Sequence, residues 1–294
     1  MDSRRLALGT AQFGMPYGIA NRAGQIEPQD ARRILLRARD AGMDMLDTAV
    51  AYGTSESALG SIGVGDWSVV SKLPPVPAGC GDVHMWMRTA VAGILERLRI
   101  ARLGGLLLHT PMQLLEGQGA AIYSSLRQLQ SDGLAERIGI SVYGPDELEA
   151  LVGRFQFDVV QAPFNIFDRR LVSSGWLQRL RSSGVEIHVR SLFLQGLLLM
   201  RATERPPDFS RWQRLWDSWH GWLEHSGLTA VQACVGFVAG YADIGRAIVG
   251  VDSVQQLEEI LAARTLSGVD LPHNLACEER DLVDPSRWRL RGAA

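Results

Sequence analysis

The chain has 294 residues, 46% of them hydrophobic and 21% charged, an ordinary composition for a folded globular protein. A formal charge of −2 gives no electrostatic basis for binding nucleic acid or an anionic membrane. Three cysteines, Cys80, Cys234 and Cys277, stand far apart with no CxxC pair, which excludes a disulfide framework and a cysteine zinc site.

Past Met1-Asp-Ser-Arg-Arg, short apolar runs alternate with amphipathic stretches, the pattern of repeated βα units. The predicted strands, in chain order, are Leu6–Gly9, Met43–Leu46, Val69–Leu73, Leu106–His109, Ile138–Ser141, Phe157–Gln161, Val185–Val189 and Ala247–Val249. Predicted helices fall between them at Pro28–Ala41, His84–Ile100, Leu114–Ser131, Asp146–Arg154, Leu171–Ser183, Thr229–Tyr241 and Ser253–Ala263. Eight strands with intervening helices fit a closed parallel (β/α)8 TIM barrel better than an open sheet. Phe209–His225 reads as an extra helix whose Trp212, Trp216, Trp219 and Trp222 form a packing face. The whole of 1–294 is expected to be a single domain, because the barrel pattern resumes after Glu204-Arg-Pro-Pro-Asp208. No signal-like segment stands out, and Leu192 to Met200 is too short to span a bilayer, so a cytoplasmic protein is expected.

Residues able to do chemistry cluster at the carboxyl ends of these strands, where barrel enzymes place their sites. Asp47 and Tyr52 follow the second strand in Asp47-Thr-Ala-Val-Ala-Tyr52-Gly-Thr-Ser-Glu56. Lys72 ends the third strand and His109 the fourth. Neighbouring strands bring an acid, a phenol, an amine and an imidazole together. Lys72 is the only lysine in a chain otherwise rich in arginine, which points to a need for an ammonium at that position. Asp47 would keep that ammonium charged, and the ammonium would lower the Tyr52 pKa from about 10 and make it a proton donor. His109 would polarise a carbonyl. Each residue also has an ordinary reading: Asp47 as a turn or cap residue, Tyr52 as a packed aromatic, Lys72 as a solvated strand end, His109 as a loop histidine. Their arrival at successive strand ends favours the chemical reading. The remaining histidines lack metal-ligand spacing, so no metal site is expected.

These residues resemble the aldo-keto reductase family. Its signature is matched by Asp47-Thr48-Ala49, Tyr52-Gly53, Ser55-Glu56 and Leu59-Gly60, its lysine strand by Ser71-Lys72-Leu73, and its histidine strand by Leu108-His109. The similarity extends from Leu6–Gly14 to the strand ending at Gly250 and the helix beyond. It implies hydride transfer between a nicotinamide cofactor and an aldehyde, ketone or sugar-like substrate, with Tyr52 as general acid/base. Ser141 and Gln161 would hold the carboxamide, with Asn165 in the same stretch. Arg190, Ser191, Leu192 and Gly196 would form the pyrophosphate loop, and Gly250, Asp252, Ser253, Gln256 and Glu259 the adenosine site. Arg190 stands where an aromatic frequently stacks on the nicotinamide, and Val142 where the family often has Asn. Family habit points to NADP; Asp252 and Gln256, which are not basic, keep NAD open. Gln12, Phe13, Tyr17, Trp86 and Met112 are candidate pocket residues. The absence of GxGxxG from the first βα turn argues against a Rossmann-type mode. A non-catalytic, cofactor-keeping barrel such as a channel subunit is the alternative, disfavoured by the intact proton relay. A metal-dependent barrel is a third reading, with a poor ligand set. Oligomeric state is left open.

Overall fold

Leucine, isoleucine and valine dominate the predicted strands without polar alternation, as strands buried on both faces require. The computed structural model describes residues 1–266 and 268–288. Its strands are β1 (Leu6–Gly9), β2 (Met45–Asp47), β3 (Ser68–Leu73), β4 (Gly105–Leu108), β5 (Ile138–Ser141), β6 (Val159–Pro163), β7 (Glu186–Arg190) and β8 (Arg246–Gly250). All pair in parallel and in chain order, and β1 closes on β8 with Gly9 opposite Gly250. The architecture is a (β/α)8 barrel.

Two apolar regions hold it. The larger lies between the strands and the surrounding helices; the smaller fills the barrel lumen with Ala7, Met45, Val70, Leu107, Val159 and Ile248. Strand alternation places Asp47, Lys72, Ser141, Gln161, Arg190 and Gly250 on the lumen side, one step above that apolar layer. The upper rim therefore carries the polar set.

Several boundaries differ from expectation. β2 starts at Met45, because Gly42 turns the chain at φ 86° after the helix Pro28–Asp40. β6 runs to Pro163, so Phe157 precedes the strand and packs outside it. His109 lies just past β4. The helix expected over Leu171–Ser183 is two pieces, Arg170–Ser173 and Trp176–Ser182, separated at Gly175 with φ 77°. Leu114 and Leu115 belong to a 3-10 turn, Pro111–Leu115, and the helix proper is Gly119–Ser131. The tryptophan-rich segment forms the helix Gln213–Ser226 outside the eightfold pattern. Trp216 and Trp219 are fully buried, and their indole N–H groups donate to Phe209 O and Leu198 O. That face is packing.

Candidate active site

Tyr52 is positioned by a close backbone approach. A Cβ on Gly14 would lie 1.9 Å from Tyr52 O and 2.2 Å from Ser55 N, so only glycine lets the Ala11–Gly14 turn seat against the Tyr52 loop. Thr54 N donates to Gly14 O, and Ser55 Oγ donates to Thr10 O at 2.8 Å. The loop is thereby fastened to β1 as well as to β2.

Within the rim, Lys72 Nζ donates to Asp47 Oδ2 at 2.7 Å and to Thr48 O at 2.9 Å, and both charged residues are buried. Gln161 Nε2 donates to the other Asp47 oxygen at 2.7 Å, and Ser141 Oγ lies 3.3 Å from Gln161 Oε1. Lys72 Nζ is 5.1 Å from the centre of the Tyr52 ring, and the Tyr52 and His109 rings meet edge-on with centres 6.2 Å apart. Asp47, Tyr52, Lys72 and His109 thus converge in one place.

The electrostatics differ from expectation at Tyr52. Burial, followed by the Asp47 carboxylate, pushes its pKa up rather than down. The cation that opposes this rise is Arg190, since Lys72 is committed to Asp47. Burial also lowers Lys72, against the pull of Asp47. His109 falls to about 4, through burial and then the charges of Lys72 and Arg190, and is neutral at physiological pH.

A cleft of about 750 Å³ opens beside Tyr52 and Asp47 and runs past Arg190, Ser191, Leu192 and Gly196 to Gly250, Asp252, Gln256 and Glu259. Three expected cofactor residues do not line it. Ser141 and Gln161 are buried beneath the rim as supports of Asp47, and Ser253 caps the helix Val254–Ala263 by accepting from Gln256 N. Gln12 and Tyr17 line the cleft; Phe13 is buried in the core, Trp86 edges a small pocket beside His109, and Met112 packs against the core.

The cleft walls suit an elongated anionic ligand. Ser191, Leu194 and Gln195 all have positive φ, 63°, 48° and 53°, a strained run for non-glycine residues. Asn165 holds it by donating from Nδ2 to Ser191 O at 3.0 Å. Among the described residues, the backbone N–H groups of Leu192, Phe193 and Gln195, residues that line the cleft, have no protein acceptor. At Gly250 a Cβ would come within 2.6 Å of Gln12 Nε2, so glycine there lets the Gln12 amide lie close against the strand end. Sequence reasoning missed Thr229, Ala230, Val231 and Gln232, which form a wall where the helix Ala230–Ala239 begins. Among the described residues no three His, Cys, Asp or Glu side chains gather as a metal site, and no helix is long and apolar enough to cross a membrane.

Tyr, Lys, Asp and His side chains thus meet at the rim of an eight-stranded parallel barrel, beside an elongated cleft. The aldo/keto reductase family model matches residues 5–271, and the chain belongs to that family. It is similar to an NADH-specific methylglyoxal reductase of Escherichia coli (strain K12), 23% identical over 95% of each chain. A shorter match, 28% identical over 46% of this chain and 47% of the other, is to an aldo-keto reductase of Mycolicibacterium smegmatis. The fold is shared with a holo-form aldo-keto reductase from Bacillus halodurans, with a TM-score of 0.71, 20% identity and coverage of 90% of this chain and 88% of that one.

Proposed function

We propose that this reductase uses NAD(H) to reduce a small aldehyde or ketone, or runs the reverse oxidation, with Tyr52 as the acid. The observation that supports this most is the Asp47–Lys72 pair with its ammonium 5.1 Å from the centre of the Tyr52 ring, and the His109 ring edge-on to that ring. A bound dihydronicotinamide would supply the hydride, which no side chain can. Neutral His109 donates a hydrogen bond to the carbonyl oxygen. Tyr52, kept protonated by its burial, passes its proton to that oxygen as negative charge develops there. Arg190 then steadies the phenolate left behind, with the Lys72 ammonium beside the ring. Asp47, gripped by Gln161, holds Lys72 in place throughout.

Family habit alone would favour NADP. Asp252, Gln256 and Glu259 line the adenosine end, and Arg190 at the other end is the only basic side chain lining the cleft among the described residues. A 2′-phosphate would face carboxylates instead of a basic grip, and the Escherichia coli relative is NADH-specific. Arg190, Ser191, Leu192 and Gly196 would then hold the nicotinamide and pyrophosphate half, and Gly250, Asp252, Gln256 and Glu259 the adenosine half. The substrate is a small carbonyl or sugar-like molecule entering beside Tyr17 and His109. A coupled screen of aldehydes, ketones and sugars with NADH and NADPH tests the reading. NADH-linked turnover supports it; binding of dinucleotide with no turnover on any carbonyl would favour a non-catalytic barrel, and stronger binding of NADPH would reverse the cofactor assignment.

A further inference from the structure

Arg190 is an unusual lining for a cleft that takes a dinucleotide. Its guanidinium is fixed: Nη2 donates to Val142 O at 3.0 Å, Nη1 reaches Ser191 Oγ at 3.3 Å, and the group lies 4.6 Å from the centre of the Tyr143 ring. Among the described residues it forms no ion pair with a carboxylate. The nearby acids are engaged elsewhere. Asp47 is bound to Lys72 at 2.7 Å, Asp168 to Arg170 at 2.7 Å, and Glu147 accepts from Tyr143 N at 2.7 Å. Among the described residues, a half-buried positive charge held by two hydrogen bonds and without a paired carboxylate therefore faces the cleft.

Its place along the cleft gives that charge a consequence. Arg190 precedes the loop with the free N–H groups and lies on its Tyr52 side, whereas Asp252, Gln256 and Glu259 lie at the far end. A dinucleotide with its pyrophosphate on Leu192–Gln195 and its reactive end at Tyr52 must lay its nicotinamide near Arg190. The dihydro ring is neutral and the oxidised ring carries one positive charge. The pyrophosphate is the same in both forms, so its attraction to the protein cancels from their comparison. Ring charge against a guanidinium in a partly desolvated site does not cancel.

We propose that Arg190 makes this cleft discriminate between redox forms, holding the neutral reduced ring and repelling the oxidised one. The inference rests on the nicotinamide reading above. Weak retention of the oxidised form suits a reductase whose turnover requires that product to leave.

Titration of the full-length protein with NADH, NAD+, NADPH, NADP+ and ADP-ribose, followed by calorimetry, is the test. The expected result is at least tenfold tighter binding of the reduced form of the preferred pair. In Arg190→Gln and Arg190→Met that ratio should fall at least fivefold, chiefly because the oxidised form binds better. Arg190→Lys, which keeps the charge, should retain the ratio within about twofold, and ADP-ribose, which lacks the nicotinamide, should bind all variants alike. A wild-type ratio below three overturns the proposal without recourse to any variant. An unchanged ratio in the neutral variants also overturns it, as does a parallel loss of ADP-ribose affinity, which would place Arg190 on the pyrophosphate. If neither reduced dinucleotide bound the wild type, the cofactor reading itself would fall, and this inference with it.

Discussion

The two ends of the barrel lumen both carry buried charge, yet they treat it in opposite ways. At the base, Glu186 is surrounded by Arg137, His188 and Arg246, and Arg246 also reaches Asp44 at 2.7 Å. Three donors around one carboxylate leave it acidic: burial alone would raise the Glu186 pKa, but the His188 hydrogen bond and the Arg137 and Arg246 charges outweigh it and bring it to about 2. One buried atom there, His188 Nδ1, has no hydrogen-bond partner among the described residues. At the rim, Asp47 and Lys72 satisfy one another, while Tyr52 is pushed up, His109 is pushed down and Arg190 pairs with no carboxylate among the described residues. The apolar layer of Ala7, Met45, Val70, Leu107, Val159 and Ile248 insulates the two ends. Matched charge at the base stabilises the barrel, whereas charge left unmatched at the rim is available for a ligand and for proton transfer.

The largest effect that would break this contrast is at Tyr52. Tyr52→Phe keeps the ring and removes the proton, so turnover should fall by about 10³-fold or more while dinucleotide affinity, read by titration, stays within about twofold. Normal turnover would remove Tyr52 from its role. Lys72→Met probes the one matched pair at the rim. It strands a buried carboxylate and should cost about 3–5 kcal/mol in denaturant unfolding. Adding Asp47→Asn should restore part of that stability and none of the activity. Glu186→Gln, by contrast, should cost about 1–2 kcal/mol and leave kcat unchanged. A large kcat loss from the base would mean that the apolar layer does not separate the two ends.

The barrel and the convergence of Asp47, Tyr52, Lys72 and His109 were legible in the sequence because both follow from order along the chain. Successive parallel strands are spatial neighbours, so residues at successive strand ends meet. What stayed hidden depended on three-dimensional partners. A glutamine read as ending the sixth strand offers a free amide in the sequence, but in the fold Gln161 lies within β6 and its amide donates to Asp47, supporting the site from below. Ser253 has the spacing of a helix cap and acts as one. The Tyr52 shift was misjudged because residue types reveal a neighbouring ammonium, not the desolvation of the phenol or the prior claim of Asp47 on Lys72. Thr229–Gln232 carried no chemical signature, and only closure of the barrel brings the start of that helix to the cleft.

Asn165 sharpens the contrast at intermediate size. Its amide holds the strained Ser191–Gly196 loop without itself lining the cleft. Asn165→Ala should raise the dinucleotide Kd about tenfold, through a less organised loop, and change kcat less than twofold. Asn165→Asp, which cannot donate to Ser191 O, should behave like alanine. If kcat fell and Kd held, the residue would belong with the proton relay instead.

Acid titration gives the smallest and most specific separation of the two ends. His109 folds with its pKa lowered to about 4, from about 6.5 in an unfolded chain. The unfolded state takes up that proton first, so stability present above pH 6.5 is lost as pH falls towards 4. Glu186 is lowered to about 2, from about 4.3 unfolded, and its contribution is lost between those values. The windows barely overlap. Denaturant midpoints measured from pH 7 to pH 2 should therefore lose their upper acid slope in His109→Gln and their lower one in Glu186→Gln. The pH–rate profile of the wild type should show no His109 inflection between pH 5 and 8. An inflection near 6.5 that vanished in His109→Gln would mean that the imidazole is neither as buried nor as close to the rim cations as the structure places it.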